Sequence, residues 1–354
     1  MESKLVFDFA TNQQIIQKIA FIDSFKGKWT GLELGESVYL KELKQIATIE
    51  SIGSSTRIEG ATLSNDEVKK LVDSVKITSF KTRDEQEVFG YYEVLNVILD
   101  TFESVQIKEG HIHQLHRLLL QVSSKDANHR GRYKQLPNKV VANYPSGSQK
   151  VIFNTTEPFL VKPEMDNAIS WTNTQLETKA LHPLIVTATF IYEFLSIHPY
   201  QDGNGRLSRL LTTLLLLRNG YDFMQYASME IEIEKRKKDY YKALMSAQKH
   251  RKTPQEVISE WMVFFLTTLE TAINKLEERY TTIKNKKSYL NKRQEVVLAF
   301  VNEHEPVKIY DVVTSLSDYT SYILKKDMKY LVDEGLVKKM GKGKATIYVR
   351  VEDE

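Results

Sequence analysis

The chain has no cysteine, which excludes a disulfide framework, a thiolate metal site and a cysteine nucleophile and fits a reducing compartment. It has only 8 prolines and 15 glycines in 354 residues. With so few breakers, most long segments keep helical spacing of apolar side chains. Long hydrophobic runs are also missing: the most apolar stretch, Leu210–Leu217, is too short to span a bilayer. The opening residues Met1 to Asp8 lack the basic start and apolar run of a signal peptide. Excess charge of one sign is absent as well. The 49 basic and 46 acidic residues leave +3, which demands neither a nucleic-acid nor a membrane partner. A content of 42% hydrophobic and 27% charged residues is that of an ordinary globular protein. Together these point to a cytoplasmic protein of two or three domains without a membrane partner.

What is present reads as mainly α. Apolar periodicity predicts helices over 8–26, 37–59, 84–102, 109–122, 183–197, 235–249 and 254–282. Another is predicted from a capped start at Ser64-Asn65-Asp66-Glu67, and one more from Leu207 to a break at Asn219-Gly220. The 183–197 segment is apolar almost all round, the mark of a core helix. Residues 129–162 break the pattern: the β-prone runs Val140–Asn143 and Val151–Phe153 flank Pro145-Ser146-Gly147-Ser148 and predict a hairpin.

The densest chemistry lies in His198-Pro199-Tyr200-Gln201-Asp202-Gly203-Asn204-Gly205-Arg206, with Arg209 three residues on. Its dipeptides are singly ordinary turn signals. Side by side before an apolar helix, they describe a nucleotide site. Two glycines free the backbone so that helix N–H groups can face an anion. The arginines suit phosphate oxygens. Asp202 suits Mg²⁺, and His198 suits proton transfer near neutral pH. The pattern is neither a P-loop nor a dinucleotide fingerprint.

This stretch resembles the signature H-x-F-x-D/E-G-N-G-R-x-x-R of the Fic (fido) family, departing only in Tyr200 for phenylalanine, a position a phenol fills if its hydroxyl finds a partner. Upstream, Ser54-Ser55-Thr56-Arg57-Ile58-Glu59-Gly60 resembles the inhibitory pattern S/T-x-x-x-E-G/N of Fic proteins with a built-in N-terminal inhibitory helix, through Ser55, Glu59 and Gly60. The resemblance implies a Fic-type helical bundle with a β-hairpin flap that docks the target by strand addition, with Val151, Ile152, Phe153 and Asn154 as candidate flap residues. It implies transfer of AMP from ATP to a Ser, Thr or Tyr hydroxyl of a target protein, self-modification included. His198 would act as base and Asp202 as the Mg²⁺ ligand. Gly203, Asn204, Gly205, Arg206 and Arg209 would hold the phosphates, and Tyr240, Tyr241 and Gln248 would line the adenine pocket. Glu59 would restrain the enzyme by pairing with Arg209, which leaves ATP misplaced for in-line attack. Gly131-Arg132-Tyr133 resembles the family's G-x-[YF]-R, with Lys134 in place of the arginine. A homodimer is also implied.

The expected organisation is an N-terminal helical region over 1–105 with the inhibitory motif at 55–60. A catalytic core over 106–250 follows, with a flap at about 140–156, then a helical extension with a basic linker over 251–290. The last module, 291–354, shows three helical patterns and a hairpin around Gly341-Lys342-Gly343-Lys344, and resembles a small α+β winged-helix domain. Residues 319–350 carry a local +5, which permits DNA contact, but basic and acidic residues cancel over 291–354, so DNA is not the favoured partner. Three rival functions stay open. A phosphate-transferring relative would need lysine where Gly203 stands. A dual enzyme would also remove AMP, with Glu59 positioning water. A DNA-binding regulator would sense nucleotide without turnover.

Overall fold

The computed structural model describes residues 2–33, 37–74, 80–143, 149–287, 290–341, 343 and 346–351. Helices dominate: α1 (Phe9–Glu33), α2 (Ser37–Glu59), α3 (Asn65–Asp73), α4 (Arg83–Thr101), α5 (Glu109–Leu119), α6 (Pro158–Thr178), α7 (Pro183–Ile197), α8 (Asn204–Arg218), α9 (Met229–Lys235), α10 (Lys237–Gln248) and α11 (Ser259–Lys287). The last stretch carries α12 (Lys292–His304), α13 (Ile309–Ser315) and α14 (Ser321–Asp333). Two short 3-10 helices, Glu2–Leu5 and Asp222–Gln225, and two antiparallel pairs, β1 (Lys139–Asn143) with β2 (Gln149–Asn154) and β3 (Val337–Met340) with β4 (Ile347–Arg350), complete the described elements. No helix among the described residues is long and apolar enough to cross a membrane.

The chain divides into two compact units, one of residues 1–29 and 43–276, the other of 30–42 and 277–354. In the larger, α7 and α8 are the central pair. Leu184, Phe190, Phe194, Leu207, Leu210, Leu211, Leu214, Leu215 and Leu216 are fully buried, each contributing about 1.5–3 kcal/mol by leaving water. Burial all round explains why neither helix shows a strong apolar stripe. Gly90 lets α4 press against α5, since a Cβ there would sit 2.0 Å from the Leu119 carbonyl oxygen. Both α3 and α4 start at capping boxes, Ser64 with Glu67 and Thr82 with Glu85.

The predicted hairpin is present. Lys139 pairs with Asn154 and Val140 with Phe153, and a bulge between Val140 and Val141 brings Val141 opposite Val151. Its predicted turn, Pro145-Ser146-Gly147-Ser148, lies outside the described residues. The non-helical stretch is shorter than predicted, because α6 begins at Pro158. That proline occupies the first helical position and Pro163 the second turn, so both read as breakers although only the interior one costs a hydrogen bond. The buried stripe Val161, Met165, Ala168, Ile169 and Thr172 compensates. The helix expected from Leu207 begins earlier, at Asn204, and takes in Gly205 and Arg206.

In the smaller unit, Val297, Val301, Val312, Leu324, Met328, Leu331 and Val337 form one core beneath α12, α13, α14 and the β3–β4 hairpin. Arg293 grips the buried Asp327 with two guanidinium nitrogens. The lysines Lys342 and Lys344 at the hairpin tip lie outside the described residues.

Candidate active site

The α7–α8 connection builds the site. α7 ends at His198, whose backbone takes the left-handed conformation (φ 53°, ψ 62°) that histidine tolerates better than most residues. Its Nδ1 lies 3.3 Å from the Leu195 carbonyl. That contact places the proton on Nδ1 and leaves Nε2 as the open acceptor. Burial, aided by the nearby Lys134 charge, pushes the imidazole down to about 4, so at neutral pH it is an uncharged base.

The loop closes on itself through Asn204. Its Oδ1 accepts from Tyr200 N at 2.8 Å and its Nδ2 donates to Tyr200 O at 2.7 Å, so the side chain holds the loop while its backbone opens α8. Gly203 is the N-cap, with φ 79° that only glycine adopts freely. Gly205 meets a different demand. It sits inside the first turn of α8, where a Cβ would lie 2.1 Å from Glu59 Oε1. The second glycine therefore makes room for the carboxylate of another helix.

Tyr200 is fully buried, and its hydroxyl has the partner its chemistry requires, His113 Nδ1 at 2.7 Å. Its ring stacks on His116, with centroids 3.7 Å apart. His116 Nδ1 accepts from Gly131 N at 2.8 Å, so its proton sits on Nε2 and is donated to the Asp202 carbonyl at 2.9 Å. Burial holds this ring neutral, down to about 4. Tyr200→Phe is expected to cost about 1 kcal/mol, one hydrogen bond, seen as a fall of about 2–4 °C in Tm. A loss above about 3 kcal/mol in thermal or denaturant unfolding would mean that the hydroxyl does more than satisfy His113.

Lys134 is buried and joins the hairpin to the loop. Its Nζ donates to Asn138 Oδ1 and Thr155 Oγ1, each at 2.7 Å, and to Ile197 O at 3.2 Å. Asn138 and Thr155 bracket the two strands, so one ammonium ties both feet of the hairpin to the end of α7. Burial lowers Lys134 to about 8, opposed by Glu157 and Glu164.

The charges are arranged in two groups. Asp202 Oδ1 accepts from Gly203 N at 2.5 Å and Arg206 Nη2 at 3.1 Å, and Oδ2 accepts from Arg83 Nη2 at 2.9 Å. Burial works against its ionisation, but Arg206, the Gly203 N–H and Arg83 keep the carboxyl below its usual range. Glu87 bridges behind, 2.7 Å from Arg83 and 3.3 Å from Arg206. In the second group, Arg209 donates from Nε to Ser55 Oγ at 2.7 Å, and from Nη2 to Ser55 O at 2.9 Å and Glu59 Oε1 at 2.7 Å. Burial again opposes the charge on Glu59, but Arg209 first, then Arg206 and Lys237, hold it ionised. Arg206 and Arg209 are 2% and 4% exposed. Among the described residues, Nε of Arg206 and Nη1 of Arg209 have no hydrogen-bond partner, while Nη1 of Arg206 is held only by the ion pair with Glu87 at 3.3 Å.

A cavity of about 180 Å³ is lined by His198, the 201–206 loop, Glu59, the strand residue Val140, and Tyr240 and Tyr241 of α10. The predicted residues His198, Asp202, Gly203, Asn204, Gly205, Arg206, Glu59, Tyr240 and Tyr241 thus share one cavity. Arg209 adjoins it through Glu59. Gln248 is not in its lining, and its amide donates to Ser196 Oγ instead. Gly60 ends α2 with φ 114°. Val151 and Asn154 are exposed on β2, with Phe153 half-buried. Arg83, Glu87, His113 and His116 carry no local signal in the sequence. They lie more than 80 residues from the loop, and only the packing of α4 and α5 beside α8 brings them to it.

A mainly helical bundle, whose central helix opens at a glycine-capped and arginine-bearing loop, is the class of protein defined here. Residues 106–216 match the model of the Fic/DOC family, so this part of the chain carries a Fic domain. It is similar to the protein adenylyltransferase Fic of Drosophila willistoni, 27% identical over 207 residues, which cover 58% of this chain and 39% of the relative. It is also similar to the protein of the same name from Aedes aegypti, 29% identical over 187 residues, covering 51% of this chain and 34% of the relative. The matched part of the chain thus spans well under half the length of these curated relatives. In fold it resembles a Fic family protein of Desulfovibrio desulfuricans (TM-score 0.63, 21% identity, 96% of this chain and 97% of the other). Caenorhabditis elegans Fic-1 is a second neighbour (TM-score 0.58, 20% identity, 78% of this chain and 74% of the other).

Proposed function

We propose that the protein is an adenylyltransferase that moves AMP from ATP to a Ser, Thr or Tyr hydroxyl of a protein and is restrained by its own Glu59. The observation that carries this reading is the cavity in which a neutral His198 faces the N-terminus of α8 beside two buried, incompletely paired guanidinium groups. Such donors suit an oligophosphate. His198 Nε2 takes the proton of the target hydroxyl. The hydroxyl oxygen bonds to the α-phosphorus as the bond from that phosphorus to the bridging oxygen breaks, and pyrophosphate leaves. Arg206 and Arg209 neutralise the charge that grows on the leaving group. Tyr240 and Tyr241, edge to face at 5.2 Å, offer apolar surface to the base.

Asp202 would hold Mg²⁺, which supplies charge neutralisation at the phosphates. The donor set fits. The described residues hold no group of three or more histidine or carboxylate side chains that could hold a metal ion, and Mg²⁺ characteristically takes one or two carboxylates and completes its shell with water and substrate phosphates. The hairpin would receive the target by strand addition along β2, with Lys134 fixing its distance from His198. Gly203 speaks against transfer of the terminal phosphate. Because Glu59 lines the same cavity as His198, removal of AMP by a Glu59-positioned water is the second reading.

Parallel incubations with α-labelled and γ-labelled ATP test the proposal. Protein-bound label is expected from the α position alone. Label from the γ position alone, or none even after Glu59 is removed, overturns it.

A further inference from the structure

The inhibitory reading leaves one matter unexplained. Glu59 is the last residue of α2. Helix ends fray, and a carboxylate there opposes the negative end of the helix dipole. A third of its side chain remains exposed. One ion pair from such a position does not by itself keep a helix end in register.

The support comes from α9 and the start of α10. Glu234 receives Arg57 of α2 in a two-pronged bond, Nε to Oε1 at 2.7 Å and Nη2 to Oε2 at 2.9 Å. One turn earlier on the same face of α9, the buried Glu230 accepts from Ser51 of α2 at 2.9 Å, from Tyr91 of α4 at 2.9 Å and from Ser228 at 2.9 Å. Lys237, the first residue of α10, donates to the Ile58 carbonyl at 2.5 Å, one residue before Glu59. The C-terminal part of α2 is therefore gripped at Ser51, Arg57 and Ile58. The seat for Arg57 is built as well. Its Nη1 donates to Leu63 O at 2.9 Å, and Gly53 makes the space, since a Cβ there would lie 2.6 Å from that nitrogen.

We propose that Glu230 and Glu234 are positioning residues: two carboxylates on α9 clasp the inhibitory helix and set the register at which Glu59 meets Arg209. This rests on the inhibitory reading of Glu59. Neither carboxylate lines the cavity of the candidate site. α10, which the clasp includes through Lys237, also carries Tyr240 and Tyr241. The hold on the inhibitor and the wall of the base pocket thus belong to adjoining pieces of chain.

Two variants loosen the clasp by different means. Glu234→Gln keeps the shape and removes the charge. Gly53→Ala leaves every charge in place and crowds Arg57 in its seat, together with the neighbouring Asn65 Oδ1 at 2.7 Å. Each is expected to raise basal transfer from α-labelled ATP roughly fivefold or more, with thermal unfolding measured to verify folding. In a Glu59→Gly background neither is expected to raise it further, because the clasp acts only through Glu59. That absence of additivity is the readout a merely structural role does not produce. If both variants stay at the wild-type rate while Glu59→Gly is activated, the clasp is wrong and the inhibitory reading stands. Equal increases in both backgrounds overturn the clasp too. If Glu59→Gly itself is not activated, the inhibitory reading has failed beneath it.

Discussion

Replacing Glu59 by glycine is expected to raise AMP transfer by about 100-fold, the scale on which one preorganised charge-stabilising donor acts at a transition state. Arg209 is 4% exposed and donates to Ser55 Oγ, Ser55 O and Glu59 Oε1. Removing the carboxylate frees one N–H of Nη2 and leaves both anchors to Ser55, from Nε and from the other N–H of Nη2. The guanidinium then stays near its present place with a donor open for phosphate. The substitution also clears the atom that a Cβ on Gly205 would strike at 2.1 Å, opening the first turn of α8 to an anion. Stability moves the other way, by about 1 kcal/mol, since one charge-assisted hydrogen bond to a partly exposed partner is lost. Label transfer from α-labelled ATP and thermal unfolding measure the two effects. An unchanged transfer rate would remove Glu59 as an inhibitor.

His198→Ala is expected to lower transfer by about 10²–10⁴-fold, the usual worth of a general base, while ATP affinity stays near wild type because the imidazole takes no phosphate. The backbone at this position complicates the result. With φ 53°, alanine there costs about 1–2 kcal/mol. Asparagine enters the left-handed region more readily, and His198→Asn should show the same catalytic loss without that cost. The pH profile separates a base from a mere filler. Burial holds His198 down to about 4, so the neutral form persists as pH falls from 8 to about 5, and wild-type activity should drop only below that. A free imidazole would lose its basic form near pH 6.5. An acid limb centred there, or transfer by both variants within about tenfold of the wild-type rate, would sink the assignment.

The contribution of distant segments is clearest at the glycines and the polar side chains of the loop. His198, Asp202, Arg206 and Arg209 were legible as a group because one short stretch carries them. Gly203 was legible as a turn because its demand is local. Gly205 reads identically in sequence, yet its neighbour is Glu59, 146 positions away in the chain. Asn204 reads as a phosphate ligand, and the fold also gives its side chain a second task, clamping the Tyr200 backbone. Lys134 reads as a departure from a motif and proves to be the tie between hairpin and loop. Two prolines, Pro158 and Pro163, mask the helical pattern of α6 in the sequence.

Composition, periodicity and local motifs were sufficient for the mainly helical class, the hairpin, the family resemblance and the residue types of the site. These depend on neighbours a few positions apart, where the chain itself sets the geometry. Packing decided the rest: the room that Gly205 leaves for Glu59, the neutrality of His198 and His116, the arginine pair on Asp202, and the grip of α9 on α2. Each depends on how far water is excluded and which charges face each other, and both are properties of side chains that only the folded chain brings together.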